Sequence, residues 1–262
     1  MIKALGPAAL FALAACATAP AAPAPPPSPI GALYHYVRSN QDGTLPEQIY
    51  QYRASDTALE VGKVVSRCAN AAFVTADMDL DRGHGVRFVG GRIAEDATQE
   101  PFAYLTYDAD ARTLHANVEA AGIDQDVPVP GAPFVLYDFD LSDLNALYAG
   151  RPAPRENLRF AAVLIWPPDA PNIFRTLDWS EARYAALETH LGRDAVRYDV
   201  SGGLNGALWL DARDGHVIEA RFAEPNHAEY ADFRMVLQSV THNGADEWLE
   251  VRQAHWRDCP AE

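Results

Sequence analysis

From residue 30 onward the chain runs largely in short stretches where apolar and polar side chains alternate, broken by clusters of Gly, Asn, Asp and Pro. Period-two alternation puts every second side chain on one face of a half-buried strand. Closely spaced turn residues then join successive strands as antiparallel neighbours rather than βαβ units. Residues 33–38 should pair with 49–53 across Asn40-Gln41-Asp42-Gly43, and 103–107 with 113–118 across 108–112. Residues 204–211 should pair with 216–222 across Ala212-Arg213-Asp214-Gly215, where Asp-Gly suits the positive φ of a tight turn. Residues 233–240 should pair with 247–256 across His242-Asn243-Gly244.

Helical periodicity is scarcer. Leu141, Leu144 and Tyr148 share a face, and Ser142 can cap, which predicts a short helix fed by a strand over 134–140. Residues 180–191 fit two descriptions, a helix through Tyr184, Leu187 and Leu191, or a strand that turns at Gly192-Arg193 into 195–200. The hairpin continues the rhythm of Tyr198-Asp199-Val200 and Leu208-Trp209-Leu210-Asp211 and is preferred. Tyr107-Asp108-Ala109 and Leu210-Asp211-Ala212 each precede a short loop, a weak internal echo. The expected fold is mainly β: a large curved antiparallel sheet, a half-open barrel or meander, with one or two short helices.

The N-terminus breaks this rhythm. After Lys3, an apolar stretch over 8–15 is too short to span a bilayer and ends in Leu13-Ala14-Ala15-Cys16. The combination resembles a bacterial lipoprotein signal with its lipobox. That resemblance implies cleavage before Cys16 and lipidation of it. With Ala17 rather than aspartate next, it also implies sorting to the outer membrane, facing the periplasm. Two or more acyl chains hold stably, at about 0.8 kcal/mol per buried methylene. Residues 17–29, rich in Ala and Pro, favour an extended spacer that reaches roughly 40 Å at about 3.1 Å per residue. The expected organisation is a signal peptide over 1–15, a lipidated cysteine and tether over 16–29, and one β-rich domain over 30–262.

Charge narrows the partners. With 21 basic and 36 acidic side chains the chain carries −15, which opposes binding to nucleic acid or to an anionic lipid surface. If Cys16 carries lipid, Cys68 and Cys259 remain in an oxidising compartment, where a bridge is expected. The alternative is a free Cys259 in a loose C-terminal tail.

Dense catalytic motifs are absent from the sequence. Asp77-Met78-Asp79-Leu80-Asp81 lacks a calcium loop's spacing, because glycine falls at the seventh position and Phe88 at the twelfth. The segment Asn226-His227-Ala228-Glu229-Tyr230-Ala231-Asp232 has no zinc signature and reads as a turn after Pro225. Ser201-Gly202-Gly203-Leu204-Asn205-Gly206 is neither a nucleophile elbow nor a phosphate loop. No cofactor or metal is expected.

The strand succession over 184–222, with Gly206-Ala207-Leu208-Trp209-Leu210-Asp211 and Asp214-Gly215-His216-Val217-Ile218-Glu219-Ala220, resembles periplasmic β-meander domains of unknown function. More loosely it is similar to Lol-type lipoprotein carriers, in which a curved sheet half-closes over an apolar ligand. The resemblance implies a fold and a groove without an activity. Aromatic residues on expected strands, Tyr36, Tyr52, Trp209 and Trp248, are the candidates to line that groove. The expected function is non-catalytic binding of a hydrophobic small molecule or an envelope protein. The competing expectation is a hydrolase or metal-dependent enzyme with a site near His216, His227 and Glu229.

Overall fold

The computed structural model describes residues 25–165 and 174–260, so the lipobox with Cys16, and residues 17–24 of the tether, lie outside the described residues. The protein is mainly β, and among the described residues the strands join in one curved, open sheet of fifteen. From β1 (Leu33–Ser39) the chain meanders outward through β2 (Glu47–Arg53), β3 (Ala58–Val64), β4 (Ala72–Asp79), β5 (His84–Ile93), β6 (Gln99–Asp108), β7 (Thr113–Val118) and β8 (Ile123–Pro128). It then crosses to the opposite edge at β9 (Phe134–Leu136), which pairs parallel with β10 (Leu158–Ile165). Through β11 (Phe174–His190), β12 (Arg193–Gly202), β13 (Gly206–Asp211), β14 (Val217–Phe222) and β15 (Phe233–Thr241) it meanders back until β15 pairs with β1.

This path dictates the curvature. Laid flat, fifteen strands would set the sheet edges roughly 65 Å apart at about 4.8 Å per strand. The five residues between Pro128 and Phe134 bridge those edges and reach about 18 Å at most. The sheet must curl until its edges approach, and the Thr176 hydroxyl on β11 donates to the Pro128 carbonyl of β8 at 3.0 Å. Register shifts at His35/Tyr36, Asp77/Met78, Gly90/Gly91 and Tyr184/Ala186 bend the strands further.

A plug enters the curl. Beyond β9 the chain makes a 3-10 turn (Tyr137–Phe139) and then α1 (Ser142–Tyr148), burying Tyr137, Phe139, Leu141 and Leu144 in the main core. A helix this short is unstable by itself and takes its stability from tertiary contacts. Asn145 donates to Gln51 Oε1 at 3.0 Å and accepts the Val217 N–H at 3.0 Å, while Arg53 donates to the Ala146 carbonyl at 3.1 Å.

Three local expectations are corrected. Residues 247–256 are helical, within α2 (Ala245–Trp256), where Trp248, Val251 and His255 follow a helical spacing and Trp248 packs with Leu33, Phe73 and Ile93 on the sheet's outer face. Strand β15 can then pair with β1. Gly62 admits the indole, since a Cβ there would come within 2.6 Å of the Trp248 ring. The strand at 134–140 ends at Leu136, because Asp138 and Asp140 turn inward toward buried cations. Ser142 does not cap α1, and its hydroxyl donates instead to the Phe139 carbonyl at 2.5 Å.

Two further expectations agree with the structure. Residues 180–190 belong to strand β11, and Cys68 and Cys259 form a disulfide that ties the β3–β4 loop to the segment after α2. The weak echo has a physical basis. Asp108 Oδ1 accepts the N–H groups of Asp110 and Ala111, and Asp211 Oδ1 those of Arg213 and Asp214, so the same side-chain turn closes both hairpins.

Candidate functional site

On β1 and β3 the inward phase of the alternation starts apolar and ends charged, and on β2, antiparallel between them, it starts charged. Tyr34 and Tyr36 lead to Arg38, Ile49 shares its face with Glu47, and Leu59 and Val61 lead to Lys63. All are buried. Because side chains alternate strictly, a strand that keeps one face inward carries the in-phase residues near its ends inward too.

The turn after β9 supplies the opposite charges. Arg38 pairs with Glu47 and, at 2.9 Å, with Asp140, and its guanidinium lies over the Tyr230 ring at 4.7 Å. Lys63 Nζ lies 3.3 Å from Asp138 and 3.2 Å from Asp140, and donates to the Asp138 carbonyl. Asn226 donates to Asp140 at 2.8 Å, and His227 Nε2 contacts Asp138. Asp140 and Leu141 both adopt left-handed φ, +52° and +56°. For a buried leucine that conformation is costly, and the partners gathered by Asp140 hold it in place.

Burial and charge compete within this cluster. Desolvation works against the Lys63 ammonium, yet Asp138 and Asp140 outweigh it and hold its pKa above the ordinary lysine value. Burial likewise opposes the Arg38 cation and is overcome by Asp140 and Glu47. At Asp138 burial is outweighed by His227, Lys63 and Arg38, which hold the carboxyl well below the usual range. Glu47 goes the other way, because burial raises its pKa by more than Arg38 lowers it.

Beside this cluster the interior opens. A cavity of about 430 Å³ runs beneath the strands from β3 to β8, within the range of about 300–1,000 Å³ usual for small-molecule sites. Its wall is mostly apolar, including Val74, Phe88, Leu105 and Ile123, and it is roomy because Ala72, Gly90, Gly91, Ala103 and Ala121 fill so little. Phe102 and Val65, 51% and 68% exposed, also line it and bring apolar surface out to solvent. Arg38, Glu47, Lys63, Asp138, His227, Glu229 and Tyr230 form its polar part.

None of the four aromatic candidates lines this cavity. Tyr36 is buried beside the plug, where its hydroxyl donates to the Val217 carbonyl at 3.0 Å. Tyr52 packs with the outer-face cluster under α2, to which Trp248 belongs. Trp209 stacks on His190 at 4.2 Å and donates to Glu188 at 2.7 Å. The charged members were missed, although Arg38 was detectable as a charge on the apolar phase of a predicted strand, and Glu47 and Lys63 stand in period-two phase with Ile49 and with Leu59 and Val61. Small residues within strands, where bulky ones pack better, were the corresponding trace of the cavity.

The enzyme candidates separate into two places. His227 and Glu229 border the cavity, with His227 Nδ1 4.0 Å from Glu229. No Ser, Thr or Cys is among the described lining residues, so the Asp138–His227 pair has no serine, threonine or cysteine nucleophile there, and the hydroxyl that is present, that of Tyr230, accepts from Arg38 at 3.4 Å. His216 lies in a separate depression with Asp211 and Asp214, where one donor atom from each falls within 4.8 Å of the others. Those carboxylates already close the turn: Asp211 accepts backbone N–H groups, and Asp214 contacts His216 Nδ1 while accepting its N–H at 3.3 Å. Arg193 and Arg213 line the same depression and oppose a cation there.

No family model, curated protein or solved structure matches this chain.

Proposed function

We propose that this chain is an outer-membrane lipoprotein, held on the periplasmic side through Cys16, whose curved sheet binds a hydrophobic small molecule in the cavity under β3–β8 without transforming it. The cavity carries the reading: a largely apolar hollow, bordered by exposed apolar side chains, in a protein whose other described core residues are almost fully buried. A void of this size without an occupant forfeits the packing that stabilises the rest of the interior.

The test is titration of the full-length protein with a neutral, environment-sensitive naphthylamine probe. Saturable binding is expected, weakened about tenfold by Phe102→Glu, which places a charge at an exposed lining position. Binding that never saturates would overturn the reading. Localisation is tested separately by fractionation with radiolabelled palmitate. Cys16→Ala should lose the label and become soluble, and an unlabelled wild type would remove the anchor from the proposal.

A further inference from the structure

The cavity's apolar wall selects a tail, and the sign of charge at its polar end selects a head. That end sets two cations, Arg38 and Lys63, against four carboxylates, Glu47, Asp138, Asp140 and Glu229. The balance is two units negative, and a protonated His227 on Asp138 would leave it negative still.

Burial decides which sign can be reached. The Arg38 and Lys63 side chains are only 2% and 5% exposed, and both are engaged, the first by Glu47 and Asp140, the second by Asp138 and Asp140. The carboxylates that line the cavity are more open: Glu47, Asp138 and Glu229 are 10%, 18% and 60% exposed. Glu47 Oε1 and Asp138 Oδ2 accept no hydrogen bond, and neither is sealed away, unlike Asp138 Oδ1 and Asp140 Oδ2. Glu47 is also short of positive charge, since burial raises its pKa by more than Arg38 lowers it.

These open acceptors border a hollow that is otherwise apolar, so a group that reaches them brings its hydrocarbon out of water. A carboxylate or phosphate head would add to the negative balance, and a hydroxyl would leave it uncorrected. An ammonium supplies N–H donors and the missing sign, and pairing offsets the cost of burying its charge.

Resting on the cavity reading above, we propose that the ligand is a cationic amphiphile, a long-chain amine whose ammonium group pairs with the open carboxylates of Glu47, Asp138 and Glu229 while its hydrocarbon fills the cavity.

Competition against the naphthylamine probe on the full-length protein at pH 8, below micelle formation, tests this with the primary amine, the alcohol and the fatty acid of one chain length. An alkylammonium, like a lysine with its pKa of about 10.4, is protonated there. The amine should displace the probe at a concentration about tenfold below the alcohol, with the acid weakest. Glu47→Gln and Glu229→Gln each remove one negative charge from the polar end, the second at an exposed position that spares the Arg38 pair, and should narrow the amine's lead over the alcohol about threefold. Glu250→Gln removes the same charge from α2, 57% exposed and outside the cavity, and should leave that lead unchanged. An alcohol or acid that competes as well as the amine overturns the inference while leaving the cavity reading intact. So does a lead that neither cavity variant narrows, or one that Glu250→Gln narrows equally, since the charge of the whole chain would then account for it. Failure of all three compounds, and of the probe, to bind saturably removes the cavity reading and this inference with it.

Discussion

The strands from β10 to β15 and those from β4 to β8 belong to one sheet and share one alternation, yet they enclose different interiors. Toward β10–β15 the inward positions carry Phe160, Tyr198, Leu208, Phe222 and Phe233, all at 1% exposure or less, packed in one cluster with the plug residues Tyr137 and Leu144. Toward β4–β8 the corresponding wall contains Ala72, Gly90, Gly91 and Ala103, and a cavity takes the place of the missing atoms. Binary pattern is therefore enough to build a curved sheet, while side-chain volume decides whether its hollow is filled. The charged cluster of Arg38, Lys63, Asp138 and Asp140 lies between the two and bounds the cavity.

The difference can be tested from its filled side first. Phe160→Ala should cost about 3–5 kcal/mol in denaturant unfolding, because neighbours in a packed core relax only partly around a lost ring. A loss below about 1 kcal/mol would mean this half is as loosely packed as the other.

Lys63→Met breaks the boundary between them. It leaves Asp138 and Asp140 buried without their ammonium partner, and such one-sided removal costs about 3–5 kcal/mol. Unfolding curves should show that loss, with restoration by Lys63→Arg if charge rather than shape is what the site needs.

Asp143 gives the plug a pH dependence. Burial raises its carboxyl to about 7 from the ordinary 3.8, against the backbone N–H groups of Leu136 and Leu144 that donate to it. A folded-state pKa above the unfolded one means the folded chain binds the proton more tightly. The stabilisation is complete below the unfolded value and is lost as pH rises through the folded one. This single group should thus remove on the order of 4 kcal/mol between pH 4 and pH 8. Subtracting the pH profile of Asp143→Asn from that of the wild type isolates the effect, and a difference that stays flat across this window would show the carboxyl ionising normally.

Ala103→Leu should have the smallest effect on stability, within about 1.5 kcal/mol of wild type, because the added atoms have a cavity to enter. It should nevertheless abolish saturable probe binding. A variant that binds as well as wild type would place the ligand elsewhere.

Much of the sheet was legible in the chain because period-two alternation is local: a strand declares its two faces through its own residues, and Asp-Gly turns declare their hairpins. The echo between Asp108 and Asp211 was visible for the same reason, and the structure shows the side-chain turns behind it. The misread segment 247–256 shows the limit, since Trp248, Val251 and His255 mark a helical face that only the outer surface of β1–β4 makes decisive. The sequence by itself determined the mainly β class, the hairpins that join 33–38 to 49–53, 103–107 to 113–118 and 204–211 to 216–222, and Cys68 and Cys259 as the expected bridge. Tertiary structure decided that β15 lies beside β1, that the turn after β9 folds inward, and that Arg38, Lys63, Asp138 and Asp140 meet across as many as 102 positions of chain. The physical reason is that curvature and enclosed volume belong to the whole sheet: a short crossing between its edges forces the curl, and only then do distant inward residues face one another.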